Sequence, residues 1–414
     1  MKDRSVDPAF LRGVTQRRLS RRDMLRISGL SAATMAFAAA CGVKGQGTPA
    51  VTAAPDFWAD KTKHGTLNFA NWPLYMDTDN KPELTKFTQE TGITVNYQEV
   101  IEDDPSWFAK VQPQLAAHQS IGYDLQVITN GWEFTQFKQL GYLAPLDHTK
   151  LTNFTANADP VYTQSSYDPG NVFSVPWASG MTGIAYDPDK TGRPITKLAD
   201  LWDPAFKGKV GMMSDAQEIA NFGLLKLGID PKSSTPADWQ RAADELQRQK
   251  DLGVVRKYYD QGYADALSNG EIWVTMAWSG DILQLNISNG TNLQFVVPEE
   301  GGTLWTDNMT IPVTADNPVD AMMLLDFFYR PDIAASLAEY IGYVTPVPGA
   351  KALIQKDADD ADNADDRDYF ETLVDSPLVF PDEATLAKLY RYVEFATSDL
   401  HQQFTAVFEP ITLT

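Results

Sequence analysis

The sequence predicts an α/β protein of two lobes, with the chain passing between the lobes twice. Strand-like and helix-like stretches alternate from Thr66 onward, which is the rhythm of a sheet covered by helices. Near Gly180 this pattern changes to extended runs, and a second α/β set follows. Another extended run surrounds Trp305, so we expect the two crossovers near Gly180 and Trp305. The 414 residues are 43% apolar, which is enough for two cores.

The first half of the chain has elements with clear local patterns. Its predicted elements are strands at 66–72, 93–100 and 123–129 and helices at 81–92, 106–118 and 133–141. Gly92 is expected to end the first helix, because glycine favours the left-handed conformation found there. Pro113 is expected to break the second helix, since it removes a backbone donor. The run 173–188 is predicted to form two strands joined around Gly180.

The second half repeats the alternation and ends in apolar helices. Its predicted elements are strands at 209–214, 271–279, 293–299 and 303–313 and helices at 215–228, 235–251, 318–329 and 331–341. Sheets of this kind bind ligands beyond the carboxyl ends of their strands. Side chains at strand ends are therefore the candidate functional residues.

The first 40 residues are expected to be an export signal and not part of the fold. The stretch "SRRDMLR" at 20–26 contains the paired Arg21 and Arg22 of a twin-arginine signal. An apolar stretch follows, too short to span a bilayer, and ends in "FAAAC" at Cys41. This ending is similar to a lipobox, in which the cysteine is acylated. An ordinary signal peptide with an incidental cysteine is the alternative.

These patterns divide the chain into four parts. We expect a twin-arginine lipoprotein signal at 1–40 and a flexible Gly/Ala/Thr/Pro tether at 41–59. Residues 60–180 and 307–353 are assigned to lobe 1. Residues 181–306 and 354–414 are assigned to lobe 2.

Charge and composition exclude several functions. The net charge is −21, and the residues after the signal carry −26, so the folded part repels nucleic acid and attracts cations. Most of this charge also serves to keep an exported protein soluble. Cys41 is the only cysteine, and the four histidines are far apart, so we expect no metal, no cofactor and no thiol nucleophile. Abundant carboxylates leave a secreted carboxylate-dependent hydrolase as an alternative.

Aromatic and acidic side chains recur together at predicted strand ends. The residues in this pattern are Trp72, Tyr75, Asp215, Glu218, Trp278, Asp281, Trp305, Asp307 and Tyr343. Taken singly, each has a structural explanation: strand-end indoles pack, and Asp215 could cap a helix. As a set they suit an organic cation, because carboxylates bond ammonium groups and an indole face attracts a cation by ~0.5–2 kcal/mol. A flexible diamine, with methylenes between charged ends, matches an aromatic slot with acids at both ends.

Around these residues the chain resembles the spermidine/putrescine-binding proteins of bacterial ABC importers. The similar stretches include "NWPLYMD", "MAWSGD", "GGTLWTDNMTIP" and "EYIGYVTP", and they occur in the same order. The resemblance implies a two-lobed periplasmic-binding-protein fold of type II with two crossovers. It also implies a polyamine ligand, no enzymatic activity, and an ABC permease with its ATPase as partners. The protein would be a monomer, in the periplasm or on the outer face of the cell membrane, held there by a lipid anchor.

The resemblance also implies roles for single residues. Trp72 and Tyr75 match an aromatic wall, and Thr129 falls where the family has a serine hydroxyl near the ligand. Trp278 matches the indole that stacks on the polyamine carbons. The remaining matches are acids and aromatic residues that hold amines: Asp215, Glu218, Asp281, Trp305, Asp307 and Tyr343.

The chain departs from the family pattern at two places. Pro73 and Leu74 stand where the family often has an acid in the first motif, and Gly131 and Trp132 replace an aromatic pair near the hydroxyl. One end of the site is therefore expected to be less acidic than in spermidine binders. The expected ligand is a shorter diamine, a different amine or a guanidino compound, and a binder of another cationic solute on the same fold is the alternative.

Overall fold

The computed structural model describes residues 54–260 and 262–413. The signal at 1–40 with Arg21 and Arg22, and Cys41, lie outside the described residues. Within them, no helix is both long and apolar enough to cross a membrane.

The end of the expected tether is helical. Helix α1 (Ala54–Trp58) places its aromatic residues against the apolar core of lobe 1, and Trp58 Nε1 donates to the Pro145 carbonyl at 2.7 Å. A flexible tether as far as residue 59 is therefore wrong for residues 54–58, because Phe57 and Trp58 bury apolar surface there.

Strands and helices alternate along the described chain. The strands are β1 (Thr66–Asn71), β2 (Thr94–Glu99), β3 (Leu125–Thr129), β4 (Ser174–Tyr186), β5 (Val210–Met213), β6 (Val255–Tyr259), β7 (Val274–Trp278), β8 (Gln294–Val296), β9 (Gly302–Thr310) and β10 (Leu389–Tyr390). The helices after α1 are α2 (Pro82–Thr91), α3 (Asp104–Ala116), α4 (Trp132–Gln139), α5 (Thr152–Asn157), α6 (Pro160–Thr163), α7 (Pro188–Thr191), α8 (Ala216–Lys226), α9 (Pro236–Asp251), α10 (Tyr263–Ser268), α11 (Ser279–Asn289), α12 (Pro318–Phe327), α13 (Pro331–Ile341), α14 (Ala350–Asp359), α15 (Ala364–Asp375), α16 (Glu383–Leu386) and α17 (Ser398–Thr412). Short 3-10 helices lie at Leu198–Trp202, Pro204–Phe206 and Pro231–Ser233. Pro113 lies inside α3 without breaking it, since the helix ends one turn later.

A single sheet runs through both lobes. Its order is β2-β1-β3-β9-β4-β7-β5-β6, with β10 beside β9 and β8 beside β4. The long strands β4 and β9 pair antiparallel from Ser174 opposite Thr310 to Thr182 opposite Thr303. The predicted fold class is confirmed, and the two predicted crossovers are this strand pair; the described chain passes between the lobes a third time after Tyr392.

Gly180 does not divide β4 into two strands. It lies directly opposite Trp305 in the strand pair, and the chain stays extended through it. A Cβ built at Gly180 would lie 2.0 Å from Trp305 Cζ2. The glycine therefore makes room for an indole, and does not form the junction that the sequence pattern indicated.

Each lobe has its own apolar core. The lobe 1 core contains Phe69, Trp177 and Phe328, among others, and the lobe 2 core contains Phe222 and Phe404. The C-terminal segment is divided between the two cores. Its first part, with helices α14 and α15, packs in the lobe 1 core, and only the part from Val393 onward packs in the lobe 2 core. This differs from the assignment of 354–414 to lobe 2, because α14 follows α13 directly and packs beside it.

Candidate ligand-binding site

The strand pair brings most of the candidate residues of both lobes close together, and we name the region where they meet the interlobe cleft. Trp305 and Asp307 are alternate residues of β9, so their side chains lie on the same face of the strand. Thr129 ends β3 in lobe 1 and pairs with Asp307, whereas Trp278 ends β7 in lobe 2 and pairs with Thr182 of β4.

Asp307 is the acid at the lobe 1 side of the cleft. Its carboxylate accepts hydrogen bonds from Thr129 Oγ1 at 2.6 Å and from the Tyr75 hydroxyl at 2.5 Å. Burial raises the pKa of Asp307 to about 6, although these two hydrogen bonds lower it. The carboxylate is thus held in place by neutral donors and lacks a positive partner.

Glu218 is the most deeply buried acid on the lobe 2 side, with 1% of its surface exposed. Its Oε1 accepts from Thr182 Oγ1 at 2.7 Å, the Tyr392 hydroxyl at 2.8 Å and Trp278 Nε1 at 3.1 Å. Its Oε2 is buried without a hydrogen-bond partner among the described residues. Burial, and next the charge of Asp215, raise the pKa of Glu218 to about 7.

Asp281 lies in the first turn of α11 between two tyrosines. It accepts hydrogen bonds from the Tyr263 hydroxyl at 2.6 Å and the Tyr343 hydroxyl at 2.9 Å. Burial raises the pKa of Asp281. Tyr263 also accepts from the Trp278 amide at 3.0 Å, so Asp281 and Trp278 are held by one tyrosine.

Asp215 caps helix α8, which was the alternative to a ligand-binding role for this residue. Its Oδ1 accepts from the amides of Gln217 at 2.8 Å and Glu218 at 2.9 Å. The side chain is accessible to solvent, yet surrounding protein is the largest cause of a raised pKa of Asp215. The charge of Asp215 also raises the pKa of Glu218 and of Glu133, so the helix cap places an exposed carboxylate beside these two acids.

Aromatic rings connect the acids of the two lobes. The ring centroids of Trp278 and Trp305 are 6.4 Å apart at 76°, and those of Trp305 and Tyr343 are 5.4 Å apart. Tyr75 lies 6.0 Å from Tyr343 in an edge-to-face arrangement. Trp72 is the exception among the candidates. Its Nε1 donates to the Val127 carbonyl at 3.1 Å, and no described ring contact or hydrogen bond connects it to the cleft acids.

Two acids of the cleft were missed in the sequence. Asp104 Oδ1 lies 3.4 Å from the Thr129 amide, and its pKa is raised by burial and by the charges of Glu133 and Asp307. Burial raises the pKa of Glu133 to about 7, and the charge of Asp215 in the other lobe adds to this. Both residues lie in the first turn of a helix that follows a strand, which is the same signal that selected Glu218.

Six carboxylates therefore converge without a compensating cation. They are Asp104, Glu133, Asp215, Glu218, Asp281 and Asp307, and the pKa of each is raised mainly by burial. Among the ion pairs of the described residues, none includes any of the six. No group of three or more acidic, histidine or cysteine side chains in the described ranges is arranged to hold a metal ion. Because buried charge without a partner is costly, the cleft is suited to an organic cation.

Replacing Gly180 by alanine is expected to damage the site without removing any polar group. The new Cβ would overlap the Trp305 indole, so overpacking should lower the free energy of unfolding by roughly 1–3 kcal/mol. Thermal unfolding of the ligand-free protein measures the change. Gly349→Ala is the control, because its Cβ would lie 3.5 Å from Pro331 in ordinary contact. Equal stability of the two variants would contradict the close approach of Gly180 and Trp305.

A two-lobed α/β fold, with a strand pair between the lobes and an acidic aromatic cleft beside it, defines a solute-binding protein. The model of the bacterial extracellular solute-binding protein family matches residues 84–371. The chain belongs to this family.

Known relatives agree with this assignment. The spermidine/putrescine-binding periplasmic protein of Salmonella typhimurium is 34% identical over 72% of this chain and 82% of its own length. The putrescine/agmatine-binding protein of Pseudomonas aeruginosa is 28% identical over 83% of this chain and 90% of its own. The solved spermidine/putrescine ABC transporter substrate-binding protein of Streptococcus pneumoniae has a TM-score of 0.71 at 26% identity, covering 84% of this chain and 99% of that one. These relatives are binding proteins, and the Streptococcus protein is the substrate-binding protein of an ABC transporter, which confirms the prediction of a binding protein over an enzyme.

Proposed function

We propose that this protein captures polyamines in the interlobe cleft and delivers them to an ABC permease and its ATPase. The observation that carries the proposal is the set of six carboxylates that form no ion pair with any lysine or arginine of residues 54–260 and 262–413, with the rings of Trp278 and Trp305 between them. The relatives support the ligand class, since they are named as binding proteins for spermidine, putrescine or agmatine.

The chemistry of the cleft matches an elongated cation at each point. Trp278 and Trp305 offer apolar faces to methylene groups and attract positive charge. Asp307 in lobe 1 and Asp281 or Glu218 in lobe 2 would each accept charge-assisted hydrogen bonds from an ammonium group. The free Oε2 of Glu218 would gain the donor that it lacks.

Between Trp72 and Tyr75 the first motif carries no acid for an ammonium group. Leu74 is 50% exposed, and its amide donates to Glu99 Oε1 at 2.9 Å. Asp104 and Glu133 offer carboxylates on the lobe 1 side in its place. We therefore propose to compare putrescine, spermidine and agmatine as ligands. Their relative affinities will show which ligand length the cleft prefers.

Export and anchoring are part of the same proposal. Membership in an extracellular family supports export, and the twin-arginine stretch with Arg21 and Arg22 would direct it. Acylation of Cys41 would tether a monomer to the membrane near its permease. Mass spectrometry of the mature N-terminus tests this, because a free Cys41, or cleavage at another residue, would exclude the lipid anchor.

Titration calorimetry with putrescine, spermidine and agmatine tests the ligand class. Trp278→Ala is expected to weaken binding by about 10- to 100-fold, since it removes an aromatic face and a hydrogen bond to Glu218. Trp273→Ala is the matched control, because this half-buried lobe 2 indole carries Lys209 over its ring and lies outside the cleft contacts described. Absence of binding of all three amines by the wild-type protein would end the polyamine proposal.

A further inference from the structure

Four consecutive residues after β3 connect lobe 1 to the rest of the molecule; we name them the Asn130–Glu133 segment. The Asn130 amide donates to the Thr306 carbonyl at 2.9 Å, and its Oδ1 accepts from the Thr306 amide at 2.6 Å. Thr306 belongs to β9, which runs between the lobes. A Cβ at Gly131 would lie 3.1 Å from Gln217 Nε2 of helix α8 in lobe 2. The segment is thus fixed to the strand pair at one end and contacts lobe 2 beyond it.

Trp132 crosses from lobe 1 into the core of lobe 2. Its helix α4 begins in lobe 1, yet its indole is only 4% exposed and is part of the lobe 2 core. The indole stacks on the His401 ring at 4.4 Å and 10°, and it contacts the Phe395 ring edge-on at 5.9 Å. His401 and Phe395 both belong to the C-terminal part that packs in lobe 2. Separation of the lobes at this point would expose the indole to water, so Trp132 favours contact between them.

Glu133, in contrast to Trp132, disfavours contact between the two lobes. Asp215 caps helix α8, which Gly131 contacts through Gln217, and the charge of Asp215 raises the pKa of Glu133, so the two carboxylates repel. Glu133 forms no ion pair with a lysine or arginine of the described chain. A positive group between Glu133 and Asp215 would turn this repulsion into two attractions.

We propose that the Asn130–Glu133 segment sets the balance between open and closed lobes. Trp132 stabilises the closed arrangement, and repulsion between Glu133 and Asp215 opposes it until a cation lies between them. A ligand shifts such a balance only by its different affinity for the two states. Here that difference arises because both carboxylates are near one ligand only when the lobes are closed. The inference depends on the proposed function only for the positive charge of the ligand.

Two variants of adjacent residues should shift the balance in opposite directions without ligand. Trp132→Ala is expected to lower the ratio of closed to open molecules, and Glu133→Gln to raise it, each by about threefold or more. The readout is the interlobe distance distribution from pulsed electron paramagnetic resonance. The labels are placed on the full chain at Val161→Cys and Leu252→Cys, two exposed positions in different lobes, with Cys41→Ser as background.

Matched controls separate this role from general packing or charge. Trp239→Phe alters an indole that also contacts Phe395, but both the backbone and the side chain of Trp239 lie in lobe 2. Glu371→Gln removes an exposed charge on α15. Both should leave the ligand-free distribution unchanged. Trp132→Phe, which retains an apolar ring, should give a smaller shift than Trp132→Ala and serves if the alanine variant does not fold.

The outcomes decide the inference separately from the ligand class. An unchanged distribution in both Trp132 variants, or a shift of Glu133→Gln towards longer distances, would overturn it. Opposite shifts in the ligand-free protein support it, even if putrescine fails to close the wild-type protein. That failure would count against the polyamine proposal alone.

Discussion

Replacing Asp307 by asparagine is expected to weaken the binding of putrescine and spermidine by about 30- to 1,000-fold. The change removes the charge that would face an ammonium group in a desolvated site, which is worth about 2–4 kcal/mol. Thr129 and Tyr75 donate to different carboxylate oxygens, so in the variant one hydroxyl would still donate to the amide oxygen and the other would accept from the amide nitrogen, and the shape of the site is retained. Titration calorimetry at constant pH measures the loss.

The same variant should be more stable than the wild-type protein when no ligand is present. Burial raises the pKa of Asp307 to about 6, which means that the ionised carboxylate destabilises the folded state at neutral pH. Asp320→Asn is the control with the opposite expectation. Asp320 is also fully buried, but it accepts from the amides of His64 and Gly65, so its loss should lower the melting temperature and leave affinity unchanged. Unchanged amine affinity in Asp307→Asn would remove Asp307 from the site.

Polyamine affinity is expected to fall steeply as the solution is acidified from pH 8 to pH 5. In the ligand-free protein, burial raises the pKa of Asp307 to about 6 and that of Glu218 to about 7. Both must lose their protons to bind ammonium groups, so these two residues alone should weaken binding by on the order of 1,000-fold at pH 5. Alkyl amines remain protonated over this range, so the change belongs to the protein.

The free energy of unfolding of the ligand-free protein should increase as the solution is acidified, whereas polyamine affinity falls. A carboxyl group whose pKa is raised by folding stabilises the fold when protonated, and this contribution is lost as pH rises through about 6 and then about 7. Calorimetry in buffers of different ionisation heat should show proton release on binding near pH 6.5. Glu218→Gln should lose the upper step of the profile. An affinity that stays constant from pH 5 to pH 8 would contradict the whole electrostatic account.

The sequence was sufficient for the architecture and for the positions where side chains converge. Alternating strands and helices indicated the α/β class, and the rings of the strand-end residues Trp278 and Trp305 lie in contact, whereas the part of these residues in ligand binding stays a prediction. Local patterns failed where tertiary contacts decide the outcome. The sequence pattern indicated a junction at Gly180. In the structure, the absence of a side chain at Gly180 leaves space for the indole of Trp305, which lies 125 residues later in the chain. Only the folded register of β4 and β9 makes that visible.

The remaining misses have the same physical origin. Asp104 and Glu133 resemble ordinary first-turn acids of surface helices, and only the folded chain shows that surrounding protein raises the pKa of each. Tyr392 lies far from every motif in sequence, yet it donates to Glu218 because the chain returns to the strand pair at β10. Helices α14 and α15 pack in lobe 1 because their apolar faces meet α13, which no count of residues along the chain could indicate.

The position of β9 in the chain affects how the protein can be made. This strand completes the lobe 1 sheet between β3 and β4, but it begins only at Gly302, whereas β3 ends at Thr129. A growing polypeptide that has reached residue 301 therefore contains all of lobe 1's outer strands and lacks the one that joins them. The lobe 1 sheet can therefore be completed only after nearly three quarters of the chain has been synthesised, and we expect its strands to pair late in translation or after it.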